Sequence, residues 1–159
     1  MFFAVLVSSL ALAIGLAMYD LVVRELQISS TTEQSQYAIY AADTAVECAL
    51  YWDYNYVSAD PSVVSIFATS TDSTNTTNLQ ANCSNQDITN STILTTTKTA
   101  TSATTNTTLN IGVTYFAQIQ VVKAVNISGI HTTTIYAYGF NTSNIASPNA
   151  VERELQVSY

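Results

Sequence analysis

The sequence predicts an α+β protein in which a long N-terminal α-helix, the stalk of a lollipop, precedes a small C-terminal antiparallel β-sheet head. Three observations support this fold class. Residues 1–19 contain no charged side chain, residues 20–52 contain neither proline nor glycine, and residues after 112 alternate between apolar and polar side chains. Composition alone therefore divides the chain of 159 residues into distinct segments.

The first segment, residues 1–23, is uncharged up to Tyr19 and apolar again after Asp20. A helix of about 20 residues matches the roughly 30 Å hydrocarbon core of a bilayer. No lysine or arginine precedes the apolar run and the chain after it continues as helix, so a cleaved signal peptide is a poor match. Two interpretations stay open: a retained membrane anchor, or an apolar helix buried in an assembly. A core helix of a monomer is disfavoured because the run is apolar on all faces.

The second segment, residues 24–53, is predicted to continue the helix as an amphipathic stalk that packs on the head. Asp20 and Arg24 have the spacing of a helical ion pair. One helix of about 50 residues is roughly 75 Å long, so part of it must contact lipid or other copies of the chain. The predicted packing stripe consists of Leu26, Tyr37, Tyr40, Ala41, Thr44, Cys48 and Tyr51.

The third segment, residues 54–112, is predicted to be a loop region rich in threonine, serine and asparagine, with one short apolar strand or helix at 63–68. It offers few hydrophobic anchors. Cys48 and Cys83 are the only cysteines, and an even pair in an exported protein favours one disulfide, which would stabilise by about 4 kcal/mol. Two unpaired buried thiols are the alternative.

The last segment, residues 113–159, is predicted to be an antiparallel meander. Residues 113–125 place Tyr115, Ala117, Ile119 and Val121 on one face and two glutamines on the other. Residues 126–129 form a predicted turn, residues 130–140 are rich in β-branched and aromatic residues, and residues 151–159 alternate with glutamates facing outward. One face of this sheet is expected to cover the amphipathic half of the helix.

Composition excludes several function classes. Only 9% of the residues are charged, the net charge is −7, and the four basic residues lie far apart, which argues against direct binding of nucleic acid. No catalytic, cofactor or metal site is predicted: His131 is the only histidine, and Asp43 and Glu47 are an isolated helical pair. Six Asn-X-Ser/Thr triplets are candidate glycosylation sites, at Asn75, Asn82, Asn90, Asn106, Asn126 and Asn141.

The residues also carry a family resemblance. The uncharged N-terminal helix, the amphipathic stalk Gln34–Asp53 (QSQYAIYAADTAVECALYWD) and the closing Val151–Tyr159 (VERELQVSY) resemble bacterial type IV pilins and pseudopilins, in particular PilX-like pilins of Patescibacteria. The resemblance implies a subunit that is inserted in the cytoplasmic membrane, cut by a prepilin peptidase and polymerised by an ATP-driven pilus assembly machinery. The expected product is an extracellular cell-surface filament for attachment or motility.

In such a filament the N-terminal helices of identical copies pack against one another. The expected filament-core packing residues are Phe2, Phe3, Val5, Leu6, Leu10, Leu12, Ile14, Gly15 and Leu16. Close approach of the helices would use the small residues Ala4, Ser8, Ala11, Gly15 and Ala17.

The chain departs from the family where many pilins have an N-terminal glutamate, because Val5 stands there and the first acid is Asp20. Many pilins also have proline where this chain has Val22. The missing glutamate leaves open a masked amine, a more distant acid, residues before Met1, or a minor subunit that starts or tips the fibre. A bitopic membrane protein with a small extracellular binding head is the rival function, and an archaeal pilin is a lesser variant.

Overall fold

The computed structural model describes residues 2–55, 65–71, 80–90 and 92–159. Over these residues the chain forms one α-helix, α1 (Phe2–Asn55), and seven strands. The strands are β1 (Asn82–Cys83), β2 (Gln86–Asp87), β3 (Thr95–Lys98), β4 (Ser102–Asn110), β5 (Phe116–Val125), β6 (His131–Phe140) and β7 (Glu152–Ser158). The predicted α+β class, a long N-terminal helix followed by an antiparallel sheet, is confirmed.

The chain divides into two compact units, Met1–Gln34 and Ser35–Tyr159. From Phe2 the first unit is entirely helical. The second contains the remainder of α1 and all described strands. We refer to the second unit as the head. The absence of proline and glycine between residues 20 and 52 allows the backbone bonds of α1 to run without interruption.

The main sheet is a meander in which β3, β4, β5, β6 and β7 lie side by side in chain order, every neighbouring pair antiparallel. The three strands expected after residue 112 correspond to β5, β6 and β7. Between β5 and β6, the Asn126 Oδ1 accepts hydrogen bonds from the backbone N–H groups of Ser128 and Ile130, both at 2.9 Å. Gly129 has a φ of 77°, which glycine adopts without strain, so the turn forms where the sequence predicts it.

The prediction that residues 54–112 are a loop region is wrong for its second half. Strands β3 and β4 extend the main sheet, and β1 pairs with β2 in a separate ribbon. The physical reason is that threonine is β-branched and fits either face of a strand. In the expected apolar element at 63–68, residues 63 and 64 lie outside the described residues. The remainder forms neither helix nor strand, although Ile66 and Phe67 are buried.

The predicted packing stripe of α1 is also corrected. Ala41 and Cys48 of that stripe are buried as expected, but Leu26, Tyr37, Tyr40 and Tyr51 are exposed, and the buried side of the helix consists mainly of small residues. Together with Val46 and Cys48, the buried helix residues are Ala38, Ala41, Ala42, Ala45 and Ala49. They pack against the inner face of the sheet, where Ala117, Ile119, Val121, Ile135 and Ala137 are buried.

Candidate assembly surface

The surface of α1 between Phe2 and Val23 is apolar and almost wholly exposed. Leu12, for example, is 67% exposed and Leu16 is 62% exposed. By length and composition α1 is the one helix among the described residues that could cross a membrane, and its most apolar stretch has no buried residue. All nine expected packing residues are exposed in the isolated chain. An exposed apolar surface of this kind is typical of sites that contact lipid or another protein chain.

Two features shape this surface. Ala4, Ser8, Ala11 and Gly15 follow one another at steps of four, three and four, which places them along one side of the helix. A Cβ added at Gly15 would meet no atom within 4 Å. Next to this side lies a depression of about 420 Å³, lined by Phe3, Leu6, Val7, Leu10, Ala11 and Ile14. Packing among the described residues therefore does not explain why these positions carry small side chains.

Polar groups in this apolar segment are satisfied within the helix. The Ser8 hydroxyl donates to the carbonyl oxygen of Val5 at 3.0 Å, and the Ser9 hydroxyl donates to that of Leu6 at 2.9 Å. Asp20 and Arg24 form an exposed ion pair at 3.2 Å, as their spacing predicts. The segment can thus enter an apolar environment without leaving its serine hydroxyls unpaired.

The C-terminal half of α1 is fixed within the head by a covalent bond. Cys48 and Cys83 form the predicted disulfide, with their Cα atoms 6.1 Å apart and a sequence separation of 35. The Trp52 indole N–H, one turn further along the helix, donates to the Asn82 carbonyl oxygen at 3.3 Å. The disulfide therefore anchors the β1–β2 ribbon to the helix.

A polar cluster holds the end of α1. Asp53, with its side chain 7% exposed, forms an ion pair with Lys123 of β5 and accepts hydrogen bonds from the hydroxyls of Ser65 and Tyr159. Burial and the bond to the Asp53 carboxylate raise the pKa of Tyr159. The Tyr159 ring stacks on Tyr54 with centroids 5.1 Å apart. Sequence reasoning missed this cluster, because its members are too far apart along the chain to form a pattern.

The candidate glycosylation sites differ in accessibility. Asn75 lies outside the described residues, whereas Asn82, Asn90 and Asn126 are exposed. Asn141 is half-buried: its Nδ2 donates to the Asn149 carbonyl oxygen at 3.0 Å and its Oδ1 accepts from the Val151 N–H at 2.7 Å. Asn106 lies in β4, where its Oδ1 accepts from the Gln120 amide at 3.0 Å. Asn82, Asn90 and Asn126 thus have the exposed side chains, although the Oδ1 atoms of Asn90 and Asn126 also accept local hydrogen bonds.

The residues weighed for catalysis are not brought together. His131 is exposed at the start of β6, and Asp43 and Glu47 are exposed on α1. Among the described residues no cluster of three or more histidine, cysteine, aspartate or glutamate side chains could hold a metal ion.

No family model matches this chain, and neither a curated protein nor a solved structure is similar to it at a significant level.

Proposed function

We propose that this chain is a structural subunit, a pilin, of an extracellular type IV pilus-like helical filament for attachment or motility. The proposal includes insertion in the cytoplasmic membrane before assembly and extraction by a pilus assembly machinery. The observation that carries it is the helix surface from Phe2 to Val23, which is apolar apart from Asp20 and almost wholly exposed in the part of the chain that the structure describes.

Burial of this surface contributes a large favourable free energy. Removing one valine, leucine, isoleucine or phenylalanine side chain from water contributes about 1.5 to 3 kcal/mol. The nine expected packing residues include eight of these large types, so their burial is worth on the order of 10 to 20 kcal/mol. Lipid supplies this burial before assembly, and copies of the same helix supply it afterwards.

The exchange of lipid for protein needs close packing, since lipid tails are as apolar as leucine. The side of the helix formed by Ala4, Ser8, Ala11 and Gly15 allows another helix to approach closely, while neighbouring large residues fill the space around it. This pairing of small and large faces supports self-association over simple anchoring.

The head has the properties that a filament surface requires. Its solubility comes from uncharged polar residues, as the whole chain has 24 threonines, 17 serines and 12 asparagines. The disulfide ties α1 to the β1–β2 ribbon, and the Asp53 cluster ties it to the main sheet. Tension carried along α1 would therefore reach a covalently closed head.

The rival function is a bitopic membrane protein with an extracellular binding head. Filaments sheared from cells should contain the intact polypeptide, including its apolar segment, if the chain is a pilin. Recovery only in detergent-extracted membranes would overturn the proposal. Antibody labelling along the whole sheared fibre identifies a major subunit, and labelling confined to one end identifies a minor or tip pseudopilin.

Two matched variants test the packing argument. Ala11→Leu adds a large side chain to the small face, whereas Ala13→Leu makes the same change at a position about 160° away around the helix. Both changes keep the segment apolar, so membrane insertion should be equal. We expect overpacking of about 1 to 3 kcal/mol per contact to reduce filament yield for Ala11→Leu by about 5- to 150-fold relative to Ala13→Leu. Equal yields from the two variants would contradict the role of this face.

A further inference from the structure

The outer face of the main sheet, opposite the face that covers α1, carries two adjoining depressions. In the β5–β6 register, Gln118 lies directly opposite Tyr138. The depressions meet at this pair, which lines both of them. The first, of about 440 Å³, is lined by Gln118, Tyr138, Phe140, Ile145, Ala150 and Glu152. The second, of about 300 Å³, has lining side chains that include Thr95, Asn106, Thr108, Gln120 and Ile93.

The first depression has an aromatic floor and a fixed wall. Phe140 stacks on Phe116 with ring centroids 4.7 Å apart and planes within 12°. Ile145 and Ala150 belong to the loop between β6 and β7, and the two bonds of Asn141 described above close the base of that loop. The depression is therefore a built feature of the fold and does not depend on a free loop.

The second depression is lined mainly by neutral polar groups. Asn106 and Gln120 are opposite each other in the β4–β5 register, and the Gln120 amide donates to Asn106 Oδ1 at 3.0 Å. This bond leaves the Gln120 carbonyl oxygen and the Asn106 amino group without a partner among the described residues. Threonine hydroxyls beside them can donate and accept. The surface thus offers donors and acceptors in close alternation.

Charge restricts what this groove can bind. The described residues that line the two depressions include no lysine or arginine, and their one carboxylate is Glu152. Lys123 and Arg153 of the same sheet are engaged at the helix side, by Asp53 and Ser35. The Tyr138 phenol is a neutral group that can both donate and accept hydrogen bonds. An anionic ligand such as a phosphate would find no countercharge.

We propose that this groove binds a neutral oligosaccharide, with one hexopyranose ring in each depression and Gln118 and Tyr138 between them. A hexopyranose presents C–H groups on its faces, which pack on aromatic rings, and hydroxyls around its rim, which both donate and accept. Depressions of 440 and 300 Å³ are of the size that holds a small ligand. The site lies entirely within the head, so it does not depend on polymerisation.

The test uses the full chain, labelled with ¹⁵N, in dodecylphosphocholine micelles, since a detergent with a sugar headgroup would compete. Cellotriose, maltotriose and N,N′,N″-triacetylchitotriose are titrated separately and the side-chain amide signals are followed by NMR. We expect at least one trisaccharide to give saturable shifts at Gln118, Gln120 and Asn106. Hexalysine, a cationic peptide titrated in parallel as a control for charge-driven binding, should leave these side-chain amide signals unchanged.

Glutamine offers a matched pair of variants, because Gln156 is exposed on the same sheet face but lines neither depression. Gln118→Ala should weaken binding about 3- to 10-fold through loss of hydrogen bonds, and Gln156→Ala should leave the affinity unchanged. Tyr138→Ala should weaken binding by at least about 5-fold through loss of ring contact. Absence of saturable shifts with all three sugars, equal effects of the two glutamine variants, or binding of hexalysine at these amides would overturn the proposal. Filament recovery by shearing is a separate readout, so either proposal can fail alone.

Discussion

Gly139 of β6 lies directly against the backbone of α1, and replacing it by alanine should separate the sheet from the helix. A Cβ at this position would lie 2.0 Å from the Ala38 carbonyl oxygen, 2.5 Å from the Ala42 nitrogen and 3.0 Å from the Ala42 Cβ. Two of these three atoms belong to the helix backbone, which cannot rotate away as a side chain would. The substitution therefore tests the closest contact between the two layers of the head.

The size of the effect follows from the displacement needed. Since real Cβ atoms essentially never approach other atoms within 3.0 Å, the helix has to move by about 1 Å at Ala38. A gap of that size forfeits a quarter to a half of the dispersion energy of each affected contact along the buried alanine face. Overpacking typically costs about 1 to 3 kcal/mol, and the backbone clash places Gly139→Ala near 3 kcal/mol. The Tm of the head should then fall by about 10 °C.

Thermal unfolding of the full chain in micelles measures this shift. Trp52, the only tryptophan, is half-buried at the end of α1 and reports loss of head structure through its fluorescence. Gly112→Ala and Gly129→Ala serve as matched controls. In the first, the added Cβ would lie 2.8 Å from the Tyr115 ring, a side chain rather than helix backbone. The second costs about 1 kcal/mol because of the positive φ of Gly129. A Gly139→Ala variant no less stable than these controls would refute the close helix–sheet packing.

Three further outcomes are expected. Cys83→Ser should destabilise the head by about 4 kcal/mol on the chain-entropy argument, measured as a lower urea midpoint relative to the oxidised wild type; an unchanged midpoint would contradict this role. Tyr159→Phe removes the 2.6 Å hydrogen bond to Asp53 and should cost about 1.5 to 3 kcal/mol in the same assay, whereas a neutral effect would show that water replaces the bond. Burial raises the pKa of Asp87, but hydrogen bonds from Thr89 and from the Ala81 N–H outweigh burial, so folding lowers this pKa. The stability that Asp87 contributes is therefore retained above pH 3.8 and falls as the pH drops below that value. Asp87→Asn should flatten that acid limb, and an identical pH profile in the variant would exclude Asp87 as its source.

The elements that sequence reasoning predicted well are those whose pattern is local. Residues 117–121 alternate between apolar and polar side chains, and Ala117, Ile119 and Val121 are buried as expected. The turn around Asn126 is specified by its own side chain, which bonds two backbone N–H groups. The helix needed only an uninterrupted run of residues compatible with it. In each case the information lies within about ten residues of the element it describes.

Strand β4 was not predicted because threonines occupy both its buried and its half-buried positions. Its sequence is SATTNTTLN, and its first eight residues alternate between half-buried and buried although four of them are threonine. Thr105 and Thr107 are buried with their hydroxyls near partners: Thr107 donates to the Ile88 carbonyl oxygen at 2.9 Å. A hydropathy pattern cannot separate inward from outward threonine, because the difference depends on where the hydroxyl finds its acceptor.

The tyrosines of the predicted helix stripe were misplaced for a related reason. Large tyrosines at helical spacing suggest a packing face, yet the sheet approaches the side occupied by alanines. Gly139 explains which face of the helix packs on the sheet. A strand position without a side chain can approach a helix closely only where the helix also lacks large side chains. The two small surfaces are about 100 residues apart in the chain, so neither reveals the other.

The groove on the outer face depends on register in the same way. Alternation places Gln118 and Gln120 on one face of β5, and the aromatic residues of β6 alternate likewise, but neither pattern says which residues meet. The hairpin at Asn126–Gly129 sets the pairing, and from it Gln118 falls opposite Tyr138 and Gln120 opposite Tyr136. A slip of one residue would send the glutamines to the buried face. The turn at Asn126–Gly129, about six residues from the Gln120–Tyr136 pair, thus decides whether this face presents an oligosaccharide site. The turn therefore determines the site as much as the side chains that line it do.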